Sequence, residues 1–236
     1  YRSAANPARW KRHLEHLLAQ PSKVARRTRQ PALPYADMPA FMQALRKQHN
    51  TSARALEFLI LTGVRSGEVR NATWSEFDLD KAVWTIPAER MKGGREHRVP
   101  LSEQALRLVR AQQEVSFCSF VFPSPNRPRD PEADGAALSD MALTAVMRRM
   151  ALKQKAVPHG FRSTFRDWVS ETTTHSNEVA EMALAHSIRN RVEAAYRRGD
   201  LFGKRRQLMQ EWADFVLRQQ PSPNVVPISK GLRLAA

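Results

Sequence analysis

Three short runs rich in Val, Trp and Ile, at Glu76 to Leu79, Ala82 to Pro87 and His97 to Leu101, read as strands. Between the last two lies Glu89-Arg90-Met91-Lys92-Gly93-Gly94-Arg95-Glu96, whose glycine pair makes it a flexible hairpin tip. Segments of helix length flank these strands on both sides, so the expected fold class is mostly α with a small antiparallel β-sheet (α+β). Ahead of the strands, Ala36 to Lys47 and Ser52 to Leu61 read as helices, the second with Leu56, Leu59 and Ile60 on one side and Gly63 as its end. A short helix is expected from Ser66. After the strands, Ser102 caps a helix running to about Glu114. Phe120 to Phe122 reads as a buried connector and Asn126 to Ala137 as a Pro/Asp/Gly-rich loop. Ser139 is the expected cap of a further helix with Leu143, Val146, Met147 and Met150 on one face. Helices follow at about Gly160 to Thr172, Glu178 to Ala185, Asn190 to Arg197 and Lys204 to Arg218. In the last, Leu208, Trp212, Phe215 and Val216 form an apolar stripe that either packs on its own core or docks on a neighbour.

At 236 residues, 42% of them hydrophobic, the chain can fill a real core, which excludes general disorder. The net charge of +15 and a pI near 10.9 point to a polyanionic partner, nucleic acid before anionic membrane. No apolar run approaches the ~20 residues that a membrane span requires, and no signal peptide is visible. No membrane attachment and a cytoplasmic location are therefore expected. The lone Cys118 excludes an internal disulfide and a Cys-based zinc cluster, which fits a reducing compartment. Residues Tyr1 to Gln30 hold eight Lys/Arg against the single acid Glu15, a pattern read equally as a solvated linker or as a segment lying along phosphates. Pro31-Ala32-Leu33-Pro34 discourages helix and marks a boundary. The expected division is a basic lead-in at 1–32, a globular domain at 33–220 and a mobile tail at 221–236. A first residue that is Tyr rather than Met suggests a piece of a longer protein.

Several polar groups then stand out. Thr62-Gly63-Val64-Arg65-Ser66-Gly67-Glu68 puts Arg65 in a turn with glycine on both sides, where a guanidinium can fork onto two phosphate oxygens and Glu68 can hold it. Pro158-His159-Gly160-Phe161-Arg162 sets His159 and Arg162 three apart at a helix start, pointing the same way. Lys92 occupies the hairpin tip, and His186 closes Leu184-Ala185-His186 at a helix end. Of the three tyrosines, only Tyr196 lies in a helix-prone run with basic residues around it. A phenol becomes a nucleophile when a base takes its proton and cations stabilise the charge it transfers. Taken singly these groups are ordinary: a surface arginine, a turn lysine, a histidine cap.

Together and in this order they resemble the tyrosine recombinase family, in particular the bacteriophage-type integrases of prophages and genomic islands. The resemblance runs from about Leu33 to Leu217. It rests on Thr-Gly-x-Arg-x-x-Glu at Thr62 to Glu68, the hairpin lysine Lys92, His-x-x-Arg at His159 and Arg162, Leu-x-His at Leu184 to His186, and Tyr196. The lead-in through Asn6-Pro7-Ala8-Arg9-Trp10 to Arg29 looks like the segment joining that family's core-binding domain to its catalytic domain. In two respects the chain departs from the pattern. The His186–Tyr196 interval is one residue longer than the commonest spacing, and Met91 stands before Lys92 where many members carry threonine.

The resemblance implies a DNA strand transferase in which Tyr196 forms a 3′-phosphotyrosine, Arg65 and Arg162 clamp the non-bridging oxygens and Lys92 protonates the leaving 5′-oxygen. His159 would receive the tyrosyl proton and His186 would hydrogen-bond a phosphate oxygen. No cofactor and no metal are implied. The implied partners are double-stranded DNA attachment sites, three further copies of the chain in a tetramer on DNA (a monomer without it), and accessory DNA-bending or excision-control proteins. Strand cleavage and religation of the type IB topoisomerase kind, a catalytically silent DNA-binding relative and an RNA-binding protein are the rival readings.

Overall fold

The computed structural model describes residues 6, 8–19, 30–126, 130, 133–150, 156–186 and 199–219. The expected helix at Asn190 to Arg197, Tyr196 itself and the tail from Pro221 lie outside the described residues. The chain divides into two compact units, Tyr1–Gln30 and Pro31–Ala236. In the first, a π-helical turn at Trp10–Leu14 runs on into a helical turn at Glu15–Leu17.

The second unit opens with α1, Met38–Arg46, and α2, Thr51–Thr62. Asn50 starts α2 by accepting from the Ala53 N–H at 3.0 Å, and Gly63 ends it in the left-handed region, φ 66°, which a Cβ disfavours. The short helix α3, Ser66–Arg70, follows as expected. Next comes an antiparallel sheet in the order β1 (Phe77–Asp78), β2 (Val83–Ile86), β3 (His97–Pro100), with Phe77 opposite Trp84 and Trp84 opposite Val99. Helix α4, Glu103–Glu114, starts at Ser102, whose hydroxyl accepts from the Ala105 N–H at 3.2 Å. Then come α5 (Ala142–Arg149), α6 (Gly160–Thr172), α7 (Asn177–Ala183) and α8 (Phe202–Leu217).

Ser139 is not the cap of α5. A turn intervenes, in which the Ser139 carbonyl accepts from the Ala142 N–H at 3.1 Å, and the helix begins only at Ala142. Leu143, Val146 and Met147 are nonetheless its buried face. Phe120 to Phe122 is the buried connector its composition suggests, with Thr73 bridged to Phe120 and both Val121 and Phe122 inside.

Helix α2 is the axis of the core, with Ala53, Ala55, Leu56 and Phe58 to Leu61 all buried. Phe58 packs on Phe77, Trp84 and Phe122 on the sheet side. On the other side α8 buries Leu208, Met209, Trp212, Ala213 and Val216, and Trp212 meets Phe165 and Trp168 of α6. Each such side chain contributes about 1.5–3 kcal/mol by leaving water. The apolar stripe of the last helix therefore packs on its own chain. The Trp212 indole N–H also donates to the Ile60 carbonyl at 2.7 Å, satisfying one of the acceptors a helix leaves unpaired in its last turn. That bond fixes the end of α2, and so the turn that carries Arg65.

Candidate active site

From Gly63 the chain turns into α3 through Arg65, which adopts extended backbone. Glu68, buried one turn later, accepts from the Arg65 N–H at 2.7 Å with one carboxylate oxygen and from its guanidinium Nη1 at 2.9 Å with the other. The side chain is thus held at both ends, as the spacing suggests. Its Nη2 reaches toward the Ala185 carbonyl, 3.4 Å away.

Arg162 lies in the first turn of α6 and is only 4% exposed. Its Nη1 donates to the Gly63 carbonyl, and its Nη2 donates to the Leu184 carbonyl and to the His186 imidazole Nε2 at 3.0 Å. The two guanidiniums, about a hundred residues apart in sequence, therefore meet at one point, the carbonyl end of α7. The cause is local to that helix end. The His186 N–H bonds back to the Glu181 carbonyl at 2.9 Å and the Ala185 N–H to the Met182 carbonyl at 3.1 Å, a reverse turn that puts Ala185 at φ 49°. A non-glycine residue in that region is strained. The turn leaves the carbonyls of Leu184 and Ala185 as partially negative acceptors for cations.

His159 is the residue before α6, and its position follows from a close backbone approach. The Val157 N–H donates to the Pro31 carbonyl at 3.2 Å and the Thr164 hydroxyl to the Leu33 carbonyl at 2.5 Å. Gly160 lies so near that a Cβ on it would stand 2.1 Å from the Pro31 oxygen. Lys92 is exposed at the hairpin tip beside the buried Met91. Two residues earlier, Arg90 ties the base of the hairpin to the Glu68 carbonyl at 2.6 Å and to the Glu76 carboxylate.

Electrostatics shows that these groups share one neighbourhood. Burial holds the His159 imidazole below its ordinary pKa, and the charges of Arg162, Arg65, His186 and Lys92 push the same way. Burial and the nearby Arg65 bring Arg162 down to about 10, so it stays charged at neutral pH but short of compensating negative charge. Such a cluster favours an arriving anion. Five of the six expected site residues are thus placed together, and the sixth, Tyr196, lies outside the described residues. The stretch that contains it starts after His186. Beyond it, Asp200 accepts from Arg98 at 3.0 and 2.8 Å and from the buried Arg205 at 2.8 Å.

Three neighbours escaped the sequence reading. His97 on β3 is buried; desolvation first, and the adjacent Arg205 next, lower its pKa to about 4, and it bonds the Ala183 backbone. Glu181 on α7 accepts from His186 Nδ1 at 2.7 Å and from Arg166 Nε at 2.8 Å. Arg205 on α8 donates to the Asp200 carbonyl at 2.7 Å and to its carboxylate at 2.8 Å. His97 shares the buried side of β3 with Val99, while Arg98 between them is exposed. Among the described residues no group of three or more His, Cys, Asp or Glu side chains is placed to hold a metal ion, and no helix is long and apolar enough to cross a membrane.

A mostly helical α+β domain thus gathers two arginines, two histidines and a lysine, an arrangement whose positive charge suits an anion. The phage integrase family model matches residues 32–200, and the chain belongs to that family. Its relatives include prophage integrase IntA of Escherichia coli K12, 34% identical over 189 residues that make up 79% of this chain and 44% of IntA. The integrase of Enterobacteria phage P4 is 35% identical over 204 residues, 79% of this chain and 45% of the phage protein. The chain thus spans less than half the length of these relatives. Among solved structures, the integrase of mycobacterium phage Brujita superimposes with a TM-score of 0.57 at 17% identity, covering 84% of this chain and 62% of that one. A lambda integrase fragment, a dimer bound to a core site, gives 0.52 at 18% identity over 70% and 60%. Both show the same fold.

Proposed function

We propose that the protein to which this chain belongs is a site-specific DNA recombinase that cuts and rejoins strands through a covalent tyrosyl-DNA intermediate, integrating or excising a mobile element. The observation that carries the reading is the meeting of Arg65 and Arg162 at the end of α7, with His159, His186 and Lys92 around them. Residues 33–220 form the catalytic domain in this account. Residues 1–32 serve as a basic linker or the end of a core DNA-binding domain, and 221–236 form a tail.

Each step follows from the charges. The two guanidiniums hold the non-bridging oxygens of a scissile phosphate and stabilise the negative charge that grows there. The neutral His159 imidazole takes the phenolic proton as the Tyr196 oxygen bonds to phosphorus. The bond to the 5′-oxygen breaks, and Lys92, on its flexible stem, supplies the proton that makes a 5′-hydroxyl. The phosphodiester energy is kept in the tyrosyl ester, so attack by the 5′-hydroxyl of a second duplex exchanges strands without ATP. The related lambda integrase has been solved as a dimer on a core site and as a tetramer on a Holliday junction. Four copies on two duplexes are accordingly the expected assembly, with DNA-bending or excision-control proteins as further partners.

The test uses a library of duplexes nicked near candidate cleavage sites, which lets the short product diffuse away and traps the adduct. The wild-type chain should become covalently attached to DNA, with the linked residue mapping to Tyr196, and Tyr196→Phe should give no adduct while still binding. A wild type that binds DNA but forms no adduct would leave a binding protein only.

A further inference from the structure

His186 is held by more than its place in the chain. A guanidinium N–H can only donate, so the bond from Arg162 Nη2 makes the His186 Nε2 an acceptor. The imidazole proton must then sit on Nδ1, 2.7 Å from Glu181 Oε2. The other oxygen of Glu181 is taken by Arg166 Nε at 2.8 Å, and Arg166 is itself fixed by Asn177 and Ser170. The Glu181 carbonyl also accepts from the His186 N–H, so one residue grips both the backbone and the ring of its neighbour five positions on.

We infer that Glu181, backed by Arg166, is the positioning residue that fixes the tautomer and ring orientation of His186, so that Nε2 always faces the anion site at Arg162. The inference rests on the strand-cleavage reading above and deepens it. With its Nδ1 proton held by Glu181, the ring donates from Nε2 to a phosphate oxygen by carrying protons on both nitrogens, and Glu181 is the acceptor already in place for the one on Nδ1. Without it the ring can rotate and aim its other edge at the phosphate, or lose the fixed Nδ1 proton beside which Nε2 would carry a second one. Only a carboxylate fits this position. Both Arg166 Nε–H and His186 Nδ1–H donate to it, and in Glu181→Gln one of the two acceptor atoms becomes an NH2 group that faces another donor. The charge on Glu181 is secure. Partial burial raises its pKa, but the hydrogen bonds from His186 and Arg166 outweigh that and hold it below the usual carboxylate range.

Two measurements decide the matter. The first is histidine 15N NMR of the full chain without DNA, with the His186 resonance assigned from its loss in His186→Gln. It should show Nδ1 protonated and Nε2 bare in the wild type, and a mixture of tautomers in Glu181→Gln. The second is the rate of covalent adduct formation on nicked duplex. Glu181→Gln should lower it on the order of 10- to 100-fold, the scale on which groups that orient a reacting side chain act. DNA affinity should stay near that of the wild type, and Glu181→Asp should restore part of the rate. A wild-type His186 protonated on Nε2, or a Glu181→Gln chain that cleaves at the wild-type rate, would overturn the inference. A wild type that never cleaves refutes the recombinase reading instead, and the NMR experiment still decides the role of Glu181.

Discussion

At the scale of single residues, the site combines groups that would repel one another if they lacked fixed acceptors. Arg162 uses three of its five N–H bonds on the Gly63 and Leu184 carbonyls and on His186, none of which carries a negative charge. Its charge is therefore held in place without being cancelled, as a phosphate clamp requires. His159 feels the consequence. Because burial and then the surrounding cations disfavour its protonated form, its titration followed by NMR in the DNA-free chain should have a midpoint below the ordinary value of about 6.5. The midpoint should rise in Arg65→Ala, which removes one of those cations; a midpoint at or above the ordinary value in the wild type would contradict this. A base depressed in this way is held toward its neutral form, the one able to accept the phenolic proton. That Arg65, His159, Arg162 and His186 lie at turns and helix ends could be read from short motifs with a fixed spacing, and the exposure of Lys92 from its hairpin tip. Glu181 and His97 could not be placed in this way. An acid on a helix and a histidine on a strand carry no local mark of a partner that only folding supplies.

The elements act as brackets for these side chains, and the tightest bracket is the start of α6. Gly160 is there because the Pro31 carbonyl occupies the space of a side chain. In Gly160→Ala the new methyl would press on backbone, which has no easy way to yield. The prediction is a loss on the order of 1–3 kcal/mol in urea denaturation, with cleavage falling as His159 and Arg162 shift together. An alanine variant as stable and active as the wild type would mean that α6 is not anchored at Pro31. The limits of α4 and α6 could be read from sequence because Ser102 supplies a cap and the apolar spacing is regular. The start of α5 could not, because a turn at Ser139 competes with capping and backbone geometry decides between them. The left-handed Ala185 was also hidden. Glycine signals such a turn, whereas alanine adopts it only when the surrounding contacts impose it.

Across the whole molecule the site exists only in the folded state, since its contacts join the α2–α3 turn, the β2–β3 hairpin, the start of α6 and the end of α7. His97 sits where β3, α7 and α8 meet, and it makes stability depend on pH. Its folded pKa of about 4 lies below the ordinary value near 6.5, so the unfolded chain binds a proton that the folded chain refuses between those limits. Stability should therefore be unaffected by this group above pH ~6.5 and decline as the pH falls toward 4, by on the order of 3 kcal/mol over the full interval. Denaturant midpoints measured across that range should show the decline in the wild type and a smaller one in His97→Gln; equal slopes would remove His97 as the cause.

The central claim is that Arg65 and Arg162 act together on the charge of one scissile phosphate. It is tested most directly by comparing cleavage of a nicked duplex carrying a normal scissile phosphate with cleavage of one carrying a neutral methylphosphonate there. Arg65→Ala should be slower than wild type on the order of 10²- to 10³-fold on the phosphate and should regain most of that loss on the methylphosphonate, which has no anionic oxygen to clamp. An equal loss on both substrates would contradict the account.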